Sequence, residues 1–363
     1  MNILIPVMGF HKGGGNRVLS ELANHWIQQG HTVKFLSTYI SGNPYFPTIA
    51  PIEWIDEKGQ PVEKNILKKR HFFSALKEQI SLYKGLNNEY LKGGKWDIIL
   101  ANHSSTAHPV AYSKLKGLKC YYIQAYEPDF FAEQTSIKNK VIAKVAAHSY
   151  KLPLFKIVNS PIYYRYKEIH ANDYVPPGLD FKKLYQKPVE TVTFGKRVKL
   201  GCIGRIEPHK GTSFVLEAFK ILVSKNCDCE LHIAFGSIPD EYKELQHIFT
   251  HIPKSDSELA DFYRSCDIFI APATVQFGAP HYPVMESMAV GTPVITTYYL
   301  PSNESNAWMV SPKSANEIAL MVLEVINNEE EARRKVINAK QNIINYSWDN
   351  VSKKMIKIFS KSL

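Results

Sequence analysis

The stretch Gln276 to Thr297, QFGAPHYPVMESMAVGTPVITT, decides the fold. It reads as loop, short helix and strand. Gly278, Pro280 and Pro283 forbid a regular element at its start. Val284 to Ala289 carries helix formers directly after a proline, the usual place for a first helical turn. Gly291 is expected to end that helix, and Pro293 to Ile295 to begin a buried strand. Glu286 then falls in the first turn, among Val284, Met285, Met288 and Val290. A carboxylate there gains from the helix dipole but loses hydration among apolar neighbours. Whether it is only a dipole-favoured residue or a built hydrogen-bond acceptor depends on what surrounds it in the chain.

Upstream, strand and helix patterns alternate. Val198 to Ile203 reads as a strand, Thr212 to Val223 as a helix, Leu231 to Ala234 as a strand, Ser257 to Tyr263 as a short helix and Ile268 to Ala271 as a strand. Between the first strand and helix lies Gly204-Arg205-Ile206-Glu207-Pro208-His209-Lys210-Gly211. An Arg and a Lys on a loop that enters a helix N-terminus suit a diphosphate, because planar guanidinium, ammonium and unpaired backbone N–H groups converge there. Beside such a site, Glu286 acquires a second reading, as acceptor for the hydroxyls of a ribose. Lys313 to Ser347 supplies helices, and Ser347-Trp348-Asp349 starts a last one with Val351, Met355, Ile358 and Phe359 on its apolar face.

The first half repeats the alternation. Asn2 to Met8 is an apolar run, Gly13-Gly14-Gly15 a loop, Arg17 to Gln28 a helix and His31 to Ser37 a strand. Glycines at a helix start let backbone approach an anionic ligand. GFHKGGGN does not fit the dinucleotide fingerprint, and no acidic residue follows the second strand, which argues against an NAD site. Trp96 to Ala101 and Lys119 to Gln124 read as strands ending in polar residues, so His103, Gln124 and Glu127 are expected at the crevice where an open parallel sheet binds ligands. Asn65 to Leu91 is basic and amphipathic, with Lys68, Lys69, Arg70 and Lys77 near Phe72, Phe73, Leu76, Ile80 and Tyr83. Such a segment either covers the sheet or rests on anionic lipid. Lys182 to Lys196 is polar and irregular, a natural linker.

With 363 residues the chain accommodates two cores. A net charge of +10 calls for an anionic partner, either a phosphorylated ligand or a membrane surface. Nucleic acid is disfavoured, since no RNA-binding aromatic signature or DNA-binding helix pair occurs. The five cysteines show no paired C-x-x-C spacing, which argues against zinc and for a reducing cytoplasm. No apolar run is long enough to span a bilayer, and MNILIPVMGF lacks a basic start and reads as a strand rather than a signal peptide.

Taken together, GGGNR, VPPGLDF, GRIEPHKG, SELADFYRSCDIFIAPA, YPVMESMAVGTPVI and the terminal SWDNV make the whole chain resemble retaining glycosyltransferases of the GT-B architecture. That group includes sucrose synthases and bacterial mannosyl- and rhamnosyltransferases, and QAYEPDF with HYPVMESMA looks most like rhamnosyltransferases of surface-polysaccharide assembly. The resemblance implies an α/β fold of two facing Rossmann-like, doubly wound domains. Residues 1–185 would take the acceptor, 196–346 the nucleotide sugar, and 347–363 would form a helix crossing back to the first domain. It implies that Arg205 and Lys210 hold the donor diphosphate, that Glu286 binds the ribose, and that Gly14 and Gly15 approach the donor phosphate. Gly204 belongs to the same donor set. At Gly278 many relatives carry a Glu near the donor sugar, which leaves those contacts to Gly278, Ala279, Pro280, His281 and Tyr282. The implied reaction is sugar transfer from a nucleoside-diphosphate sugar to a polysaccharide or lipid-linked saccharide, in O-antigen or capsule biosynthesis at the inner face of the cytoplasmic membrane. No cofactor and no metal are expected. Arg205 and Lys210 would stabilise the departing diphosphate, with Glu127 or His103 as rival bases to the departing phosphate itself. A non-catalytic sugar-nucleotide-binding subunit, or another sugar-nucleotide enzyme on the same fold, are the alternatives.

Overall fold

The computed structural model describes residues 1–10, 13–40, 42–63, 74–131, 136–184, 192–236, 238–242, 245–275 and 278–363. The basic cluster Lys68, Lys69 and Arg70, its neighbours Phe72 and Phe73, and Gln276 at the head of the deciding stretch lie outside these residues. The chain divides into two compact units, Met1–Gly178 with Trp348–Leu363, and Leu179–Ser347.

The first unit contains β1 (Asn2–Val7), α1 (Gly14–Gln28), β2 (Thr32–Thr38), β3 (Ile52–Ile55), α2 (Ser74–Leu91), β4 (Ile98–Ala101), α3 (Ser104–Tyr112), β5 (Leu118–Ile123), α4 (Ile137–Ser149), β6 (Phe155–Val158) and β7 (Asp173–Tyr174). Its strands form one parallel seven-stranded sheet in the order β3-β2-β1-β4-β5-β6-β7. Strand order reverses between β1 and β4, so the loops after these strands open together at one crevice, where Asn102 Nδ2 donates to the Pro6 carbonyl at 2.8 Å. Strands such as Ile98–Ala101 are fully buried, as strands covered on both faces must be.

The second unit contains α5 (Phe181–Leu184), β8 (Val198–Ile203), α6 (Thr212–Ser224), β9 (Cys229–Ala234), β10 (Ile248–His251), α7 (Asp256–Ser265), β11 (Ile268–Ala271), α8 (Tyr282–Val290), β12 (Val294–Thr296), β13 (Trp308–Met309), α9 (Ala315–Asn327) and α10 (Glu329–Ile343). Its parallel six-stranded sheet has the order β10-β9-β8-β11-β12-β13, and here the reversal falls between β8 and β11. One face is closed by Leu216, Phe219, Val322 and their neighbours, the other by Tyr263, Met285 and Met288.

A last helix, α11 (Trp348–Ser362), returns to the first unit. Its apolar face packs on α1: Trp26 Nε1 donates to the Ser352 carbonyl at 3.2 Å, and the Trp26 and Phe359 rings lie 5.9 Å apart. Gly178 is required at this junction, because a Cβ there would sit 2.4 Å from the Trp348 ring.

Three expectations need correction. The first unit ends at Gly178, short of 185, because Leu179 and Leu184 are buried in the second unit's core, and α5 occupies the start of the expected linker. Residues 185–191 of that linker lie outside the described residues. Helix α8 begins at Tyr282 rather than Val284, with Pro283 inside its first turn, so Glu286 sits beyond that turn and the dipole reading of it fails. Helix α2 covers the sheet, but through Leu82 and Leu86 rather than the expected stripe: Leu76, Ile80 and Tyr83 face solvent, while Glu78 and Glu89 are buried.

Candidate functional site

In the second unit the reversal between β8 and β11 brings two loops together. The loop after β8 makes a short turn over Pro208–Lys210 and enters α6 through Gly211, held at φ 82°. A Cβ on Gly211 would lie 2.3 Å from the Pro272 carbonyl oxygen, so only glycine lets this loop close on the segment after β11. Thr274 completes the closure, its backbone N–H donating to the His209 carbonyl at 2.8 Å.

This closure places Arg205, Lys210 and His281 in mutual electrostatic contact. Arg205 is exposed, and its backbone N–H donates to Thr212 Oγ1 at 2.9 Å. Burial, then the neighbouring Arg205, pulls the Lys210 ammonium below its ordinary pKa. Among the described residues neither cation has a carboxylate within ion-pair distance. The N-cap of α6 is a glycine with no side-chain cap, so backbone N–H groups at the helix start add to the positive end. Burial, then Lys210 and Arg205, lowers His281 to about 3, which keeps its imidazole neutral. The His281 ring lies 4.9 Å from that of Tyr299, and its Nδ1 is buried with no hydrogen-bond partner. Glu207 of the same loop interacts with both cations; with an uncapped helix start and a buried imidazole nitrogen that lacks a partner, the arrangement suits an anion. Beside Arg205 a cavity of about 870 Å³ opens, lined also by Gly204, Ser213, Phe235, Gly236 and Tyr242.

Glu286 is buried on α8, and Tyr263 Oη donates to its Oε2 at 2.9 Å. Gly278 adopts φ 90°, a conformation that favours glycine, and its N–H donates to the Tyr298 carbonyl at 2.5 Å. A glutamate at this position would have no unstrained place on this backbone. Ala279 accepts from the Leu300 N–H at 3.1 Å, Pro280 forms a bridge with Leu300, and Tyr282 begins α8. Gly204 serves packing: a Cβ on it would lie 2.4 Å from the Gly236 Cα.

In the first unit, Gly14 and Gly15 open α1 behind an N-cap, Gly13, that carries no side-chain cap. A Cβ on Gly15 would meet Gln124 Nε2 at 3.3 Å. His103 and Glu127, from the ends of β4 and β5, come together with Nε2 to Oε2 at 3.3 Å. Glu127 is turned inward, its Oε1 accepting from the Ser104 N–H at 2.8 Å and from Tyr121 Oη at 3.2 Å. His103 caps α3 through Nδ1, which accepts from the Ser105 N–H, and stays more than half exposed. Glu127 therefore orients His103, and only the imidazole of the pair is presented to solvent. Sequence reasoning missed Tyr263, Tyr299 and Tyr121, which hold these groups; nothing in local pattern marks a tyrosine as partner to a residue of distant sequence. Among the described residues no cluster of three His, Cys, Asp or Glu side chains forms a metal site.

Two parallel-sheet α/β units, each with one reversal of strand order, give the chain the GT-B fold. Residues 197–328 match the family described as glycosyl transferases group 1, and the second unit is such a domain. The chain is similar to mannosylfructose-phosphate synthase of Agrobacterium fabrum, at 23% identity over 81% of this chain and 73% of that protein. It spans about half the length (50% and 51%) of two corynebacterial D-inositol 3-phosphate glycosyltransferases to which it is also similar. Among solved structures, sucrose-phosphate synthase from Thermosynechococcus elongatus superposes with a TM-score of 0.74 at 16% identity, over 99% of this chain and 98% of that one. Anabaena HepE in complex with UDP and glucose superposes with a TM-score of 0.71 at 14% identity, over 99% and 100%.

Proposed function

We propose that the chain transfers a glycosyl group from a nucleoside-diphosphate sugar to a saccharide or lipid-linked saccharide acceptor, with retention, in the biosynthesis of a cell-surface glycan at the cytoplasmic face of the membrane. One observation carries the reading: Arg205 and Lys210 stand together at the uncapped start of α6, with no carboxylate of the described residues within ion-pair distance of either. The similarity to HepE, whose structure is in complex with UDP and glucose, supports a nucleoside diphosphate as the anion. The donor's C1–O bond to the diphosphate breaks, the acceptor hydroxyl oxygen bonds to C1, and the hydroxyl proton passes to the departing phosphate. Arg205, Lys210 and the α6 N–H groups stabilise the negative charge that grows on that phosphate. With this charge supplied by the protein, the reaction proceeds without a metal. Glu286, oriented by Tyr263, accepts from the ribose hydroxyls.

A second reading gives the proton to His103. The 3.3 Å contact between His103 and Glu127 favours it, since a carboxylate so placed orients an imidazole as base. Thermal shift with a panel of nucleoside diphosphates, followed by turnover of the corresponding sugars with and without chelator, tests the proposal. A diphosphate of one base stabilises the wild type and not Arg205→Ala; failure of every diphosphate to stabilise the wild type rejects it.

A further inference from the structure

Cys227-Asp228-Cys229 stands where the turn after α6 runs into β9. Asn226, at φ 57°, turns the chain, and the Cys227 N–H then donates to the Leu222 carbonyl at 3.1 Å. Asp228 is held from the other side. Its carbonyl accepts from the Val198 N–H at 2.9 Å, and its carboxylate accepts from Arg197 Nε at 2.6 Å. Extended chain alternates its side chains, so with Asp228 drawn to Arg197 the cysteines on either side of it share the opposite face. There both pack against one apolar core: Cys229 is buried in it, and Cys227 is only partly covered. Their thiols share a hydrogen bond. The chain between them spans at most about 7 Å from Cα to Cα, and a disulfide asks for about 4.4–6.8 Å. Cys202 and Cys266 also feel one another, but both are buried where no solute reaches them.

We propose that Cys227 and Cys229 form a modification site, a dithiol that a hydroperoxide converts to a disulfide. Cys227 is the attacking sulfur. It meets solvent, and the hydrogen bond with Cys229 holds it below its ordinary pKa, at about 7, so much of it is thiolate at neutral pH. Its sulfur bonds to one peroxide oxygen, the O–O bond breaks, and the other oxygen leaves as water or alcohol with the proton that Cys227 released. The Cys229 sulfur then bonds to the Cys227 sulfur, the S–O bond of the sulfenic acid breaks, and its oxygen leaves as water with the Cys229 proton. The dithiol gives up one electron pair, and the peroxide takes it. A bond so close to the surface is open to attack by small thiols, so the modification is reversible. The proposal does not depend on the donor site.

The test treats the reduced full chain with hydrogen peroxide, blocks remaining thiols with iodoacetamide in denaturant, and digests with trypsin. Cleavage after Lys225 and Lys243 gives one peptide that carries both sulfurs. After peroxide this peptide is unalkylated and lighter than the dithiol by a pair of hydrogens. Dithiothreitol after peroxide restores the doubly alkylated form. Peptides of Cys120, Cys202 and Cys266 react at least roughly tenfold more slowly. In Cys227→Ser the product is lost and Cys229 remains alkylatable. In Cys229→Ala the sulfenic acid has no partner and Cys227 proceeds to sulfinic acid. Thermal melts establish that each variant is folded; where Cys229→Ala is not, the wild type and Cys227→Ser decide. A wild-type peptide still doubly alkylated at peroxide levels that oxidise glutathione in the same tube overturns the proposal. So does sulfinic acid on Cys227 of the wild type, or a Cys227 disulfide between chains.

Discussion

Tyr263 Oη donates a 2.9 Å hydrogen bond to Oε2 of Glu286, tying α7 to α8 across the interior of the second unit. Both residues are buried, so the bond is made away from water and fixes the carboxylate in one orientation. Tyr263→Phe is expected to cost about 1–2 kcal/mol of stability. It should also weaken nucleoside diphosphate binding while leaving Arg205 and Lys210 in place. Calorimetry of folding and of binding on the same variant checks both, and an unchanged dissociation constant removes the orienting role.

Arg205→Ala and Lys210→Ala should each lower turnover by about 10²–10³-fold, the loss found when one preorganised donor to a developing anion is removed. Steady-state kinetics decides: a rise in KM with kcat unchanged assigns the cation to ground-state binding alone.

His281 gives the fold an acid limit. Its folded pKa of about 3 lies below the ordinary 6.5, so between these values the unfolded chain takes up a proton that the folded chain does not. Stability therefore falls as pH drops below 6.5, by up to ~1.4 kcal/mol per pH unit from this group. Melting temperatures followed down from neutral pH should decline more steeply in the wild type than in His281→Gln.

Gly204→Ala should destabilise the second unit by about 1–3 kcal/mol, because the new methyl meets Gly236 backbone that has no room to move. Gly13→Ala, whose Cβ meets nothing within 4 Å, is the matched control and should fold as the wild type does. Denaturant unfolding of the two variants separates these outcomes.

All five cysteines are free thiols. A hydrogen bond with Cys229 holds Cys227 below its ordinary pKa, whereas burial lifts Cys202 and Cys266 to about 12. Iodoacetamide at neutral pH should therefore label Cys227 first and leave Cys202 and Cys266 untouched until the chain is unfolded, as peptide mass analysis will show.

The alternation of apolar runs with amphipathic segments made both sheets legible, because parallel strands buried on two faces must be continuous in Val, Ile and Leu. Arg205, Lys210 and Gly211 were legible because a glycine entry to a helix is a local matter. Helix α3 escaped notice because Pro109 sits inside it and reads as a break. Helix α4 escaped because its aliphatic residues point away from the core, so its pattern reports a surface and not the sheet. The start of α8 was misplaced because Pro283 is tolerated in the first turn as well as before it. The partners of Glu286 and His103 lie at long sequence separation, and only the folded chain brings them together.

Because α11 supplies the Phe359 ring and the Ser352 carbonyl against which Trp26 packs, the first unit is built from sequence that brackets the second. On the ribosome Met1–Gly178 emerges with one flank of α1 bare, and must wait for all of Leu179–Ser347 before that flank is covered. The second unit, contiguous in sequence, is free to finish first. The N-terminal half thus matures last, and a nascent chain arrested before Trp348 would expose Trp26 to chaperones.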